Sequence, residues 1–513
     1  MFKRLASVGG FTLLSRVTGF IRDVLMAAIM GAGPLSDAFL VAFRLPNNFR
    51  AIFAEGAFNL AFLPRFAAMR EKDGHDAAAR FANRVYSWQM ITQVVVLLAA
   101  LGAMRPIVSV MAPGFAAHPG QLELATSLAR IAFPYLIFTV VAVQLSAMLN
   151  AVGKFAAASA WSIFLNVAMI AALFCAPLFP NAAYAAAWGV FAAGILQLAF
   201  IVWAAARSHL RLRFERPRWT QEMRQFLLAL GAATVGSASV QIGLFIDNVI
   251  ASFLPSGDLT ALYYADRINQ LPMGTLAVAI GTVLLPEMSS LLAKGDRAGA
   301  DAAQNRSAAL ALFLTLPFVA AFFTVPLTIM QGLFAHGAFH LEAAQISANA
   351  LMAYGVGLPA FVLIRCVSPA FYARGDTATP VRATIASVIV NIALKVALVW
   401  GVHLGAAGIA LGTSLAAWVN VGVLVVLARS RGFLVVDRVF RRSIMPTLLA
   451  TLVTGGGALA GVWLAAQIPV KSAVFADETA LACAIVCAGV AYLAVALVFR
   501  KSLPLGRLSR SGV

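Results

Sequence analysis

Eight basic side chains stand in stretches of sequence that are otherwise nearly free of charge: Arg16, Arg22, Arg44, Arg50, Arg130, Arg267, Arg365 and Lys395. Six acids lie in or near the same stretches: Asp23, Asp37, Glu55, Asp247, Asp266 and Glu287. A lone charge at the centre of a bilayer costs at least ~2.5–3.5 kcal/mol, so such groups face a wet cavity or a partner. The arginine fork donates two parallel hydrogen bonds to a phosphate, and several arginines around a dry-walled cavity suit a pyrophosphate and repel a cation. Anion binding inside a membrane is the chemistry these residues fit. Ion pairing among themselves is the competing use. Asp37 and Arg44, seven apart, share a helical face and can pair. Arg22–Asp23 and Asp266–Arg267 are adjacent and project about 100° apart, so they are not expected to be paired neighbours. Arg16, Asp23 and Glu55 are within snorkelling reach of an interface.

These side chains need a scaffold that carries them into the membrane. The 513-residue chain is 61% hydrophobic and 11% charged, too little charge to cover the surface of a soluble protein. Fourteen apolar stretches, each long enough to cross ~30 Å of hydrocarbon as a helix, follow one another along the chain. The expected fold is all-α, a polytopic membrane protein with fourteen transmembrane helices. The first stretch is no cleavable signal, because Arg16, Arg22 and Asp23 interrupt it and no small-residue cleavage site follows. Pro46, Pro134, Pro272 and Pro359 are candidate kinks, since proline removes a backbone donor and clashes with the preceding turn. Cys175, Cys366, Cys483 and Cys487 lie in apolar stretches without a His or acidic partner and are expected to be small buried hydrophobes.

With the N-terminus placed in the cytoplasm, 28 basic residues fall in cytoplasmic segments and two, Arg105 and Lys471, on the opposite side. That asymmetry follows the positive-inside rule, and it predicts both termini cytoplasmic. It also assigns the net charge of +18 to orientation and to anionic lipid heads rather than to nucleic acid. The chain repeats itself as well. Leu63-Pro64 recurs as Leu285-Pro286, and Gly153 as Gly375, each 222 residues on. Pro46 and Pro272 are 226 apart, and Asn166 and Asn391 are 225 apart. The expected organisation is two six-helix lobes, 1–220 and 221–435, in pseudo-two-fold arrangement with a site at their interface. Two extra C-terminal helices, in 436–513, fall outside the repeat.

No Walker loop, HExxH, nucleophile elbow or metal-ligand cluster is present in the sequence, so no enzyme activity, no cofactor and no metal site is expected. A drug or cation antiporter would favour acidic and aromatic cavity residues over arginines. A flippase for another lipid-linked oligosaccharide would share the cationic lining. A non-transporting scaffold would have no use for costly intramembrane charge.

The segment Asp37-Ala-Phe-Leu-Val-Ala-Phe-Arg-Leu-Pro-Asn-Asn-Phe-Arg50 continues through Ile52-Phe-Ala-Glu-Gly-Ala-Phe58 to Phe62-Leu-Pro64. Ser15-Arg16-Val-Thr-Gly-Phe-Ile-Arg22-Asp23 precedes it, and Tyr263-Tyr-Ala-Asp-Arg267 follows later. Together these closely resemble the MurJ (MviN) family of lipid II flippases, in the multidrug/oligosaccharidyl-lipid/polysaccharide (MOP) exporter superfamily. The likeness runs from about residue 5 to about residue 500. It implies export of lipid II across a bacterial inner membrane by alternating access, with cell-wall synthesis proteins as further partners. It implies that Arg16, Arg22, Arg50 and Arg267 hold the pyrophosphate and sugar, and that Asp37, Glu55 and Asp266 are acids used in transport. The two extra helices would hold the lipid tail. Some relatives carry a sodium site at positions matching Asp247, Asn391, Thr413 and an acid where this chain has Lys395. That departure suggests a vestigial cation site in which the Lys395 ammonium takes the ion's place and pairs with Asp247.

Overall fold

The computed structural model describes residues 2–51, 57–274, 278–468 and 475–500, so Glu55 and the stretch 52–56 lie outside it. The chain divides into two compact units, Met1–Gly257 and Asp258–Val513. Helix is the only regular structure among the described residues, as hydrocarbon requires, because only an intra-segment ladder satisfies every peptide group there.

The first unit contains α1 (Phe2–Met30), α2 (Pro34–Arg50), α3 (Ala57–Lys72), α4 (Gly74–Gly102), α5 (Met104–Met111) and α6 (Gln121–Ala132). It continues with α7 (Tyr135–Ala151), α8 (Phe155–Ala160), α9 (Ile163–Phe174), α10 (Ala182–Arg207) and α11 (Gln221–Ala251). Side-chain caps start the later helices: Asn181 accepts from Ala183 and Tyr184 at α10, and Thr220 accepts from Met223 at α11. Helix α2 is buried from Ser36 to Phe43 and packs on α6, α10 and α7. Phe58, Phe62 and Phe66 of α3 stack in register, and Phe81 of α4 and Phe226 of α11 close the cluster.

The second unit contains α12 (Asp258–Pro272), α13 (Val278–Ala293), α14 (Arg297–Thr324), α15 (Pro326–Phe334) and α16 (Leu341–Tyr372). After it come α17 (Ala378–Val396), α18 (Gly405–Ser430), α19 (Arg438–Gln467) and α20 (Ala476–Val498), with a π-turn at Ala397–Gly401. Helices α19 and α20 touch backbone to backbone. A Cβ at Gly461 would sit 2.4 Å from the Cys483 carbonyl oxygen, and one at Gly457 would sit 2.9 Å from that of Cys487. Only glycine at these two positions allows that approach.

Ten of the described helical segments are long and apolar enough to cross a membrane. The remaining expected spans coincide with α1, which carries Arg16, Arg22 and Asp23, with α11, and with the pairs α2–α3 and α12–α13. Pro134 separates α6 from α7, as expected of a kink. Pro46 stays inside α2, where the Asn47 amide donates to the Phe43 carbonyl at 2.9 Å, beside the turn that proline disturbs. The repeat is visible in the backbone: Gly153 and Gly375 both adopt the left-handed conformation, at φ 78° and 79°. The cysteines correct one expectation. Cys366 is buried, but Cys175 is exposed. An apolar residue in a membrane protein has hydrocarbon available on its outer face, so burial in protein does not follow from hydropathy.

The turn before α17 carries the clearest electrostatic device outside the membrane-spanning segments. The Asp376 carboxylate accepts from the Thr379 backbone N–H at 2.9 Å and hydroxyl at 2.6 Å, and from Arg431 at 2.5 Å. These bonds favour the carboxylate, above all those from Thr379, and hold its pKa at about 2, below the usual 3.8. A depressed carboxylate stabilises the folded state above its ordinary pKa, and that contribution is lost as pH falls through about 2. We expect the wild-type melting temperature to fall further than that of Asp376→Asn between pH 4 and pH 2; parallel curves would remove Asp376 from the pH response.

Candidate functional site

Arg22 and Arg44 of the first unit are each bound by a neutral side-chain amide from a distant part of the chain. On α1, Arg22 is 5% exposed and Asp23 is 3% exposed. The Arg22 guanidinium donates to Asp23 Oδ1 at 2.7 and 3.1 Å, so the adjacent residues do form an ion pair. This corrects the sequence expectation. The 100° separation applies to the Cα–Cβ bonds, and the arginine side chain is long enough to fold back across it. The same guanidinium donates to Asn166 Oδ1 on α9 at 3.0 Å and lies 5.6 Å from the Phe43 ring centre on α2. Asn166 is fixed in turn. Its Nδ2 donates to the Ser15 carbonyl at 2.9 Å and the Thr18 hydroxyl at 3.1 Å. Gly19 packs against this amide at ordinary contact distance, its Cβ position lying 3.4 Å from Asn166 Nδ2.

Asp37, 2% exposed, accepts from the Gly257 backbone N–H at 2.7 Å. Gly257 has φ 99°, and its Cβ would crowd Ala32, so the carboxylate grips a turn that only glycine makes comfortably. Arg44 donates to Asn248 Oδ1 of α11 at 2.9 Å, and Asn248 donates to the Met111 carbonyl at 3.0 Å. These bonds tie α2 to α11 and to the turn beyond it. Arg16 is exposed on α1, Arg50 is half-buried at the end of α2, and Asp247 is half-buried on α11.

In the second unit α12 carries Asp266 and Arg267, both half-buried. Arg267 donates to the Tyr263 hydroxyl at 2.8 Å and lies 4.6 Å from that ring's centre. Asp266 accepts from Gln270 at 2.5 Å. On α17, Lys395 is 1% exposed, and its stem lies against α18 where a Cβ at Gly412 would meet Lys395 Cγ at 2.7 Å. One turn earlier, Asn391 Oδ1 is buried with no hydrogen-bond partner among the described residues. The Thr413 hydroxyl donates to the Ile409 carbonyl of its own helix at 3.1 Å. Among the described residues no group of His, Cys, Asp and Glu could hold a metal ion.

Sequence reasoning missed the partners Asn166 and Asn248. Their signal was faint: each is an amide in an apolar stretch, where a polar side chain needs an intramembrane bond. Chemically the first unit offers guanidinium groups on α1 and α2, and the second unit, taken by itself, offers one on α12; a guanidinium suits phosphate oxygens.

Residues 26–475 match the family model described as lipid II flippase MurJ. A "Probable lipid II flippase MurJ" of Rhizobium meliloti (strain 1021) is 41% identical over 507 residues, covering 97% of this chain and 93% of the relative. The "Lipid II flippase MurJ" of Burkholderia cenocepacia is 34% identical over 444 residues, covering 84% of each. Among solved structures, a lipid II flippase MurJ in an inward closed conformation aligns with TM-score 0.76 at 23% identity, covering 96% of this chain and 99% of that one. An inward-facing multidrug resistance transporter of the MATE family in the MOP superfamily aligns with TM-score 0.68 at 17% identity, covering 81% and 94%.

Asn166 gives the geometry its sharpest check. Asn166→Leu keeps the volume and removes the acceptor for a buried guanidinium, a loss of about 1–3 kcal/mol. We expect a lower melting temperature and reduced transport. Wild-type values for both would show that Asn166 does not position Arg22.

Proposed function

This chain belongs to the MurJ family, and from that membership we propose that it flips lipid II, an undecaprenyl-pyrophosphate-linked peptidoglycan precursor. The movement is from the inner to the outer leaflet of a bacterial plasma membrane, with access alternating between the two sides. The observation that carries this reading is the match of residues 26–475 to the family; guanidinium groups in membrane-spanning helices agree with it. In this reading Arg16, Arg22, Arg50 and Arg267 receive the pyrophosphate and sugar, and Asp37, Glu55 and Asp266 take part in the transport cycle. Arg22 is committed to Asp23 and Asn166, so Arg16, Arg50 and Arg267, all less buried, make the larger direct contribution to the headgroup. Helices α19 and α20 serve the lipid tail. The basic segments face the cytoplasm with both termini and meet anionic lipid heads. Cell-wall synthesis proteins are the remaining partners of this reading.

Energetically the sign is favourable. A headgroup with about two negative charges moves toward the positive side, and each charge is worth ~2.3 kcal/mol per 100 mV of membrane potential. The membrane potential is therefore the proposed driving force.

The test is the fraction of lipid II reachable by an outside-acting hydrolase after depletion of this protein in its host. Loss of that fraction while the total pool rises is expected, and complementation with Arg50→Ala should restore much less of it than wild type does. An unchanged fraction, in a host without a redundant flippase, would reject lipid II as the substrate.

Lys395 bears on coupling. The buried Lys395 amine, one turn from Asn391, stands where some relatives have an acid, and we propose that transport therefore needs no sodium. Flipping by the reconstituted protein should proceed equally in sodium and in choline buffers. Activity that requires sodium would remove Lys395 from this role.

A further inference from the structure

Each half of the chain closes with a non-helical strap laid back on an earlier helix. Residues 210–220 join α10 to α11, and residues 433–437 join α18 to α19. In the first strap the buried Asn83 of α4 accepts from the Arg213 N–H at 2.9 Å and donates to the Glu215 carboxylate at 2.8 Å. Ser87 accepts from the Glu215 N–H at 2.9 Å, and Trp88 stacks edge-on against Trp219 at 5.7 Å. In the second strap the buried Asn305 of α14 accepts from the Asp437 N–H at 3.3 Å and donates to the Val435 carbonyl at 2.6 Å. Asn83 and Asn305 are 222 apart, as are Arg213 and Val435, and Glu215 and Asp437. The asparagine clamp is therefore a duplicated structural device.

What the two straps present outward differs. Arg211, Arg213, Arg216 and Arg218 are all exposed, and Glu215, the strap's one acid, is turned inward to Asn83. At the same offset the second half has Phe433, Val435, Arg438 and Phe440. Three of the four arginines thus face apolar counterparts, so the clamp does not need them. Phe214 among them and Trp219 just after them are 61% and 64% exposed. The strap begins just beyond Arg207, where an apolar span ends and the guanidinium stacks 4.2 Å from the Trp203 ring centre. Trp–Arg pairing at a helix end marks the depth of a membrane interface. Four outward guanidinium groups with two exposed aromatic rings at that depth match a layer of phosphates over hydrocarbon.

We propose that the strap from Arg211 to Trp219 binds the phosphate headgroups of anionic phospholipids in the adjoining leaflet. Its arginines engage the phosphates and its rings enter the interface, while Asn83 and Ser87 hold the strap against α4 with all four arginines exposed. The proposal names the site of the lipid contact stated above. It rests on the membrane reading and is independent of what the protein transports.

The experiment is native mass spectrometry of the full-length protein released from mixed micelles of phosphatidylglycerol and phosphatidylcholine. The wild type should retain phosphatidylglycerol preferentially. Arg211→Gln, Arg213→Gln, Arg216→Gln and Arg218→Gln together should reduce the preference by about fivefold for each arginine that engages a phosphate. The four matching Arg→Lys changes, which keep the charge and leave the clamp intact, should retain most of it. A preference unchanged by the glutamines, equally lost with the lysines, or matched by free inorganic phosphate at equal concentration would overturn the proposal.

Discussion

Hydrocarbon does not hydrate a charge, and the structure is arranged around that fact. Along most of this chain the constraint is met by omission, with apolar side chains outside and a closed hydrogen-bond ladder inside. Where charge is kept, it is held. Arg22 has a carboxylate beside it and an amide across from it, and that amide is anchored by a carbonyl and a hydroxyl on the first helix. Arg44 has Asn248, which is anchored to Met111. Neutral amides do this work well. They satisfy a guanidinium without cancelling its charge, so the positive field survives while the geometry is fixed.

The two repeats share a spacing of residues and differ in where they keep a basic side chain. Asp23 and Asp247 are 224 apart, close to the 225 between Asn166 and Asn391. In the first half the cation beside the Asn is Arg22, on the helix that carries the Asp. In the second half it is Lys395, on the helix that carries the Asn, with its stem accommodated by Gly412. The straps show the same divergence: one asparagine clamp in two copies, but a cationic outward face in only one.

The sequence was most legible where a single residue type dictates local geometry. Apolar length placed the helices, Pro134 broke one, and the left-handed glycines at 153 and 375 carried the repeat. Legibility ended where the outcome depends on side-chain reach or on partners far along the chain. The angle between adjacent residues on a helix did not foretell the Arg22–Asp23 pair, because the angle describes Cβ directions and the bond forms at the far end of a flexible chain. Asn166 was visible as a repeat marker but not as the ligand of Arg22, since the 144 residues between them encode no contact by themselves. Asp37 read as an acid used in transport; the grip of its carboxylate on the Gly257 turn was not legible, because it depends on where the chain passes 220 residues later. Cys175 read as buried because hydropathy cannot distinguish a protein interior from lipid.

A transporter's site must also let its cargo go, and the graded burial of the arginines suits that need. A cluster of fully desolvated, unopposed guanidinium groups would bind a pyrophosphate so firmly that release would limit the cycle; conduction and transport both require binding strong enough to admit and weak enough to release. Here the most buried arginine, Arg22, has much of its charge answered by Asp23. Arg50 and Arg267 are only half-buried and Arg16 is exposed, so water shares their field. Arg267 also rests on Tyr263, whose hydroxyl and ring both take part of its positive charge. In the proposed role, Arg22 and Arg267 would meet an anion with part of their attraction already engaged by Asp23 and Tyr263.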